Sequence, residues 1–175
     1  MKNLSGFLSL IIILASCSPS EPLIEEAVPV VAEEIVSPVP AWFQSAVHSS
    51  VDSLAFYGYS MASSYDSTYA AAFAQETAVN NVRFEIDRLA EQTRRILTDT
   101  PDASGYETPA FIIKLRNAVR EMDLSGVEID IETDHSDEGI YYIYARAIIE
   151  IEFATQQLAN KLDDIVFIDQ IFNQK

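Results

Sequence analysis

From Val127 to Glu132 the chain alternates without exception. Val127, Ile129 and Ile131 are apolar, and Glu128, Asp130 and Glu132 are charged. A helix with that period would scatter apolar side chains around its whole circumference, so the stretch is a strand with one dry face and one wet face. A polar turn follows, and then a richer apolar run from Ile140 to Ile151. Gly139 ends the turn, so the two runs are expected to form an antiparallel hairpin. A third strand is expected at 53–60, "SLAFYGYS", with a glycine embedded in it.

So small a sheet must be covered by something, and three segments have the period to do it. The longest is a helix over roughly 67–98, with Asp66 and Ser67 as N-cap candidates. Val79, Val82, Ile86, Leu89, Thr93 and Ile96 step by three and four and make one stripe. The opposite face carries Arg83, Asp87, Glu91, Arg94 and Arg95, and Glu91 and Arg95 are placed to pair. After the break "TPDASGYETP", a shorter helix is expected over 108–121, burying Phe111, Ile112, Leu115, Ala118 and Val119. A last one is expected over 153–172, with Leu158, Leu162, Ile165, Ile168 and Phe172 inward. The expectation is an α+β domain over residues 41–175: a small, mainly antiparallel three-stranded sheet packed by one long and one or two shorter helices. Ala70, Ala74 and Ala78 share one face of the long helix. Small side chains there let its backbone approach a strand closely, and Gly58 offers the matching gap. Ala71 is expected to be more exposed.

The N-terminal region reads differently. Lys2 precedes a run from Phe7 to Ala15 that is apolar apart from Ser9, far short of the roughly 20 residues that span a bilayer. The pattern fits a secretory signal peptide over 1–16. Leu14-Ala15-Ser16-Cys17 resembles a bacterial lipobox, and Cys17 is the only cysteine in the chain. That resemblance implies a diacylglyceryl group on the Cys17 thiol, cleavage before it and acylation of the new amine. Two or three acyl chains give stable anchoring, where one gives only marginal binding. Ser18, rather than an aspartate, follows the cysteine, which by analogy implies outer-membrane sorting. Residues 17–40 then hold five of the seven prolines, five glutamates and no Lys or Arg, the composition of a semi-extended acidic tether.

"PAWF" at 40–43, "FYGYSMAS" at 56–63, the small residues stepping by four, the Val127 strand and "GIYYIYARA" at 139–147 occur in an order that resembles the LPP-twenty lipoprotein family, bacterial membrane-associated lipoproteins of about twenty kilodaltons. The resemblance covers roughly residues 40–151. It implies a compact α+β domain behind a lipobox, and some members serve in outer-membrane-associated flagellar structures.

The formal charge is −16. That balance argues against nucleic acid, whose phosphates call for Lys and Arg, and against electrostatic docking on anionic lipid. The chain carries no P-loop, no glycine-rich dinucleotide turn and no GxSxG. His48 and His135 are the only histidines, and neither has a companion at metal-ligand spacing, so both read as solvated. Glu128, Asp130 and Glu132 share a strand face, while Asp134, Asp137 and Glu138 crowd the turn. Strand neighbours on one face lie about 6.6 Å apart, too far for all three to reach one calcium ion. The expected reading is a solvated acidic face, with no catalytic residue, no metal and no cofactor. Tyr57, Tyr59, Tyr65, Tyr69, Tyr141, Tyr142 and Tyr144 are many tyrosines for one small domain, and on a half-open sheet they make an interaction face. Arg146 shares a strand face with Tyr142 and Tyr144 and is expected to pair with a carboxylate across the hairpin.

The chain therefore reads as a lipid-anchored envelope protein without enzymatic activity. Cys17 is its membrane anchor, and its partner is another envelope protein or a second copy of itself. The alternative is a periplasmic or surface module that binds a small ligand or calcium through the acidic hairpin.

Overall fold

The computed structural model describes residues 39–100 and 105–172. The expected signal peptide 1–16, the expected lipidation site Cys17 and the expected tether up to residue 38 lie outside the described residues. Within them the fold is α+β. Eight elements follow in order: β1 (Ser49–Val51), β2 (Ala55–Ser64), α1 (Ser67–Thr98), α2 (Pro109–Arg120), β3 (Glu128–His135), β4 (Tyr141–Glu150), α3 (Ile151–Leu162) and α4 (Ile165–Phe172).

The sheet is antiparallel throughout, in the order β1-β2-β4-β3. It has four strands where three were expected. The missed strand, β1, is three residues of Ser-Ser-Val, too short to show a period. It is made by the turn that follows it. The Asp52 carboxylate accepts from the backbone N–H groups of Leu54 (2.8 Å) and Ala55 (2.9 Å), which folds the chain back onto β2. The β3–β4 hairpin forms as expected, closed by Ser136 and by Gly139 at φ +82°.

The long helix α1 lies across one face of the sheet. Asp66 caps it, accepting from the N–H groups of Thr68 and Tyr69. Ala70, Ala74 and Ala78 are almost completely buried, on the sheet face formed by the β2 residues Phe56, Gly58, Ser60 and Ala62 and their β4 partners Ile149, Ala147, Ala145 and Ile143. The approach is close enough to require glycine. A Cβ on Gly58 would fall 2.0 Å from the Ala78 carbonyl oxygen and 2.7 Å from the Val82 nitrogen. Because the alanines set the contact line, the buried stripe continues through Val82, Ile86, Ala90 and Thr93. Val79 and Leu89 end up half-buried at its edge, and Ile96 is exposed.

The far half of α1 is flanked by α2, which Thr108 caps and Pro109 begins. The charged face of α1 is partly buried: Arg83, Asp87 and Glu91 are half-buried, and Arg94 donates to the Tyr106 carbonyl at 3.2 Å. One expectation is corrected here: the last helix is two helices. Asp163 turns left-handed at φ 53° to end α3, and the Asp164 carboxylate accepts from the Phe167 N–H to start α4. The break resets the helical phase. Phe167 and Ile171 therefore enter the core, while Ile165 faces outward. Phe167 packs against Tyr106 and Phe111 at ring distances of 5.6 and 5.1 Å. No helix among the described residues is long and apolar enough to cross a membrane.

Candidate interaction surface

Alternation along the strands sends a second set of side chains to the face that α1 does not cover. From β2 come Tyr57, Tyr59, Met61 and Ser63. Their β4 partners are Ile148, Arg146, Tyr144 and Tyr142. From β3 come Glu128, Asp130, Glu132 and Asp134. Of the seven tyrosines expected to make an interaction face, Tyr57, Tyr59, Tyr142 and Tyr144 lie on this surface with the acids along one edge, whereas Tyr141 packs against the core on the other side of β4.

The segment before β1 crosses this surface and ties its parts together. Trp42 stacks on Tyr59 with ring centroids 6.2 Å apart, and the Arg146 guanidinium sits 5.1 Å over the Trp42 ring. Such a cation over an indole face is electrostatically attracted to it. The indole N–H donates to Glu132 at 2.7 Å. Phe43 meets Tyr144 edge-on at 5.0 Å, which leaves Tyr144 only 5% exposed. As expected, Arg146 pairs across the hairpin, donating from both Nε and Nη2 to Asp130.

Tyr57 and Tyr59 stack almost parallel, 6.3 Å apart. The Tyr57 hydroxyl donates to Asp52 at 3.0 Å, and Tyr59 and Ser50 share a hydrogen bond of the same length. The bond to Asp52 is the main reason the Tyr57 phenol is pushed above its ordinary value. The Asp52 carboxyl is held below the usual carboxylate range, first by the Leu54 and Ala55 N–H groups. Beside this polar web lies an apolar hollow of about 500 Å³, walled by Phe43, Ala46, Met61 and Tyr144. Met61 is 44% exposed there.

The remaining singled-out residues are dispersed. His48 is exposed just before β1, and its carbonyl accepts from the Tyr59 N–H. His135 is exposed at the end of β3, where its ring lies 4.8 Å from that of Tyr141. Asp137 and Glu138 are exposed in the turn. Tyr65 and Tyr69 lie away from the sheet, with Tyr69 stacked on Phe73 along α1. Of the acidic ladder, Asp130 is engaged by Arg146 and Glu132 by Trp42, and no group of three or more His, Cys, Asp or Glu residues among the described residues is arranged to hold a metal ion. Sequence reasoning missed the placement of Trp42 and Phe43. The signal available was their position: two large aromatics just after a proline-rich stretch, in a chain with a single tryptophan.

A four-stranded antiparallel sheet with helices on one face and an aromatic and acidic surface on the other defines a two-layer α+β domain in which, among the described residues, no helix covers the second sheet face and Trp42 and Phe43 lie across part of it. Comparison with family models, with curated proteins and with solved structures finds no match.

Proposed function

We propose that the chain is a lipid-anchored envelope protein whose domain binds a partner protein through the uncovered sheet face, without catalysing a reaction. The observation that carries the reading is that face itself: an apolar hollow beside a rigid aromatic web. Rigid aromatics beside a pocket suit an interface centre, because little side-chain freedom is lost on binding. The polar groups there are mutually paired, Asp130 with Arg146, Glu132 with Trp42 and Tyr57 with Asp52. That pairing supports a docking surface over a reaction centre.

The charge on the face favours a different protein over a second copy. Asp52, Glu128, Asp130, Glu132 and Asp134 surround one arginine, so two such faces repel. The partner has an apolar side chain for the Met61 hollow and Lys or Arg for the β3 edge. The anchor is the acylated Cys17 of the lipobox, as in the LPP-twenty lipoproteins the sequence resembles, and the envelope location follows from it.

A photoreactive side chain placed at Met61 in the full chain, in cells, should trap one discrete protein, and the same group at the exposed Glu76 of α1 should not. Adding salt should weaken the Met61 product. Equal or diffuse labelling from both positions would remove the sheet face as the docking surface. Persistence of a Cys17→Ser variant in the membrane fraction would remove the anchor.

A further inference from the structure

In a protein with a formal charge of −16, three arginines gather around one groove. It lies between α1 and α2, encloses about 460 Å³, and is lined on the α1 side by Arg83, Phe84 and Asp87 and on the α2 side by Arg116, Val119 and Arg120. Each charged pair is one helical turn apart, so its members emerge on the same side of their helix. The groove is on a different part of the molecule from the uncovered sheet face, and nothing in the partner-binding reading requires it.

Two observations mark it as more than a solvated charge patch. The Nε of Arg83 is buried and has no hydrogen-bond partner among the described residues, although Nη1 donates to Asn80 at 3.1 Å. An N–H withdrawn from water and left without an acceptor is unfavourable, and native structures rarely keep one without a reason. Phe84 is 63% exposed at the groove, an aromatic face set beside guanidinium groups. The environment of Asp87 is consistent with a site: burial pushes its carboxyl above the ordinary value, with Arg116 opposing.

We infer that this groove binds a phosphate-type oxyanion carried on a partly apolar body, with the guanidinium groups of Arg83, Arg116 and Arg120 around the oxyanion and Phe84 against the body. Guanidinium forks match the oxygens of a phosphate in pairs, and several forks suit a group with three or four oxygens better than a single carboxylate with two. Two sources bring this chemistry, a phospholipid headgroup or a soluble phosphate ester.

The test uses the full chain carrying Cys17→Ser, so that the proposed lipid anchor cannot bring it to membranes, and two probes, glycerol 3-phosphate in solution and phosphatidylglycerol vesicles diluted in phosphatidylcholine, with phosphatidylcholine vesicles alone as the blank. Arginine Nε–Hε resonances report the first and co-flotation the second. Saturable binding of either probe is expected. Arg116→Gln combined with Arg120→Gln should weaken it by about tenfold or more, the usual scale for lost charge-assisted hydrogen bonds. Both side chains are on the outer surface of α2, so a thermal melt close to that of wild type is expected for the double variant. Arg95→Gln, at an exposed cation outside the groove, should change nothing. Binding of glycerol 3-phosphate assigns the site to soluble esters, and binding of vesicles alone, lost in the double variant, assigns it to the headgroup. No saturable binding of either probe up to about 10 mM overturns the inference, as does an equal effect of Arg95→Gln and the double variant.

Discussion

The contact between Gly58 and α1 concentrates more consequence in one position than any other in the described residues. A methyl group there must displace backbone, because its nearest neighbours are the Ala78 carbonyl oxygen and the Val82 nitrogen. Overpacking a tight contact costs typically about 1–3 kcal/mol, a large part of the roughly 5–15 kcal/mol that holds a domain together. In chemical denaturation Ala78→Leu is expected to lower stability by about 1–3 kcal/mol and Gly58→Ala, which displaces backbone, by about 3 kcal/mol. The proper control is Ala72→Leu, because Ala72 is exposed, whereas Ala71 is half-buried and packed against the core. Ala72→Leu should change stability by less than about 0.5 kcal/mol. Asp163 is the other sensitive residue. Its left-handed conformation is tolerated by Asp and Gly and strained for a branched side chain. Asp163→Gly should stay within about 0.5 kcal/mol of wild type, and Asp163→Val should lose about 1–2 kcal/mol, read from the same denaturation series.

At the level of elements, β1 pairs with β2 along the sheet and is joined to α1 by a polar bridge. Glu85 of α1 is only 5% exposed, yet it is charged. It accepts from the Ser49 hydroxyl at 2.9 Å and from two nitrogens of Arg88. Arg88 is the main reason its carboxyl lies below the ordinary value, with Ser49 adding to the effect and burial opposing. A second bridge, farther along α1, joins Glu91 to Arg94 and Arg95. There the carboxyl is lowered from 4.5 to about 2, first by Arg94. Both groups bind protons more weakly in the folded chain than in the unfolded one. Their contribution is therefore fully present above the unfolded carboxylate range and is lost as pH falls through the folded values. For Glu91 that window runs from 4.5 down to about 2. Asp87 runs the other way. Its raised carboxyl costs stability at neutral pH and less as it protonates. Glu85→Gln and Glu91→Gln should each flatten the acid limb of a stability-against-pH curve, and Asp87→Asn should raise stability at neutral pH. An acid limb unchanged in both glutamine variants would mean that neither bridge contributes. Ser49→Ala should cost about 1 kcal/mol, the usual worth of one hydrogen bond.

Across the whole molecule, the excess of 27 acidic over 11 basic residues acts as a distributed repulsion. The ladder on β3, an edge strand, is its densest part. Charged side chains on an edge discourage pairing with another copy, and this is a physical reason behind the proposed choice of a basic partner over a second copy. Monovalent salt screens such repulsion over about 8 Å at physiological ionic strength. The melting temperature is therefore expected to rise with added sodium chloride, and calcium at matched ionic strength should add little more. A fall with salt would place the balance of charge effects in the attractive bridges of α1.

The sequence by itself determined several features whose cause lies a few residues away. The period-two run at 127–132, the capped start of α1 at Asp66 and the start of α2 near residue 108 are local, since alternation, capping and fixed dihedrals act within one turn of chain. Two long-range features were also legible, because only one partner type could satisfy them: the seat of Gly58 against the alanine face, and the pairing of Arg146 with a carboxylate across the hairpin. The tertiary structure alone decided the rest. β1 exists because β2 offers an edge and Asp52 turns the chain toward it, and three residues carry no period. The last helix breaks at Asp163 and Asp164 because Phe167 and Ile171 have a place in the core that an unbroken helix would deny them. Trp42 reaches Glu132 across 90 positions of sequence, and the three arginines of the α1–α2 groove come from two helices. Contacts of that range leave no periodic trace, because the chain between the partners is free to take any course until packing brings them together.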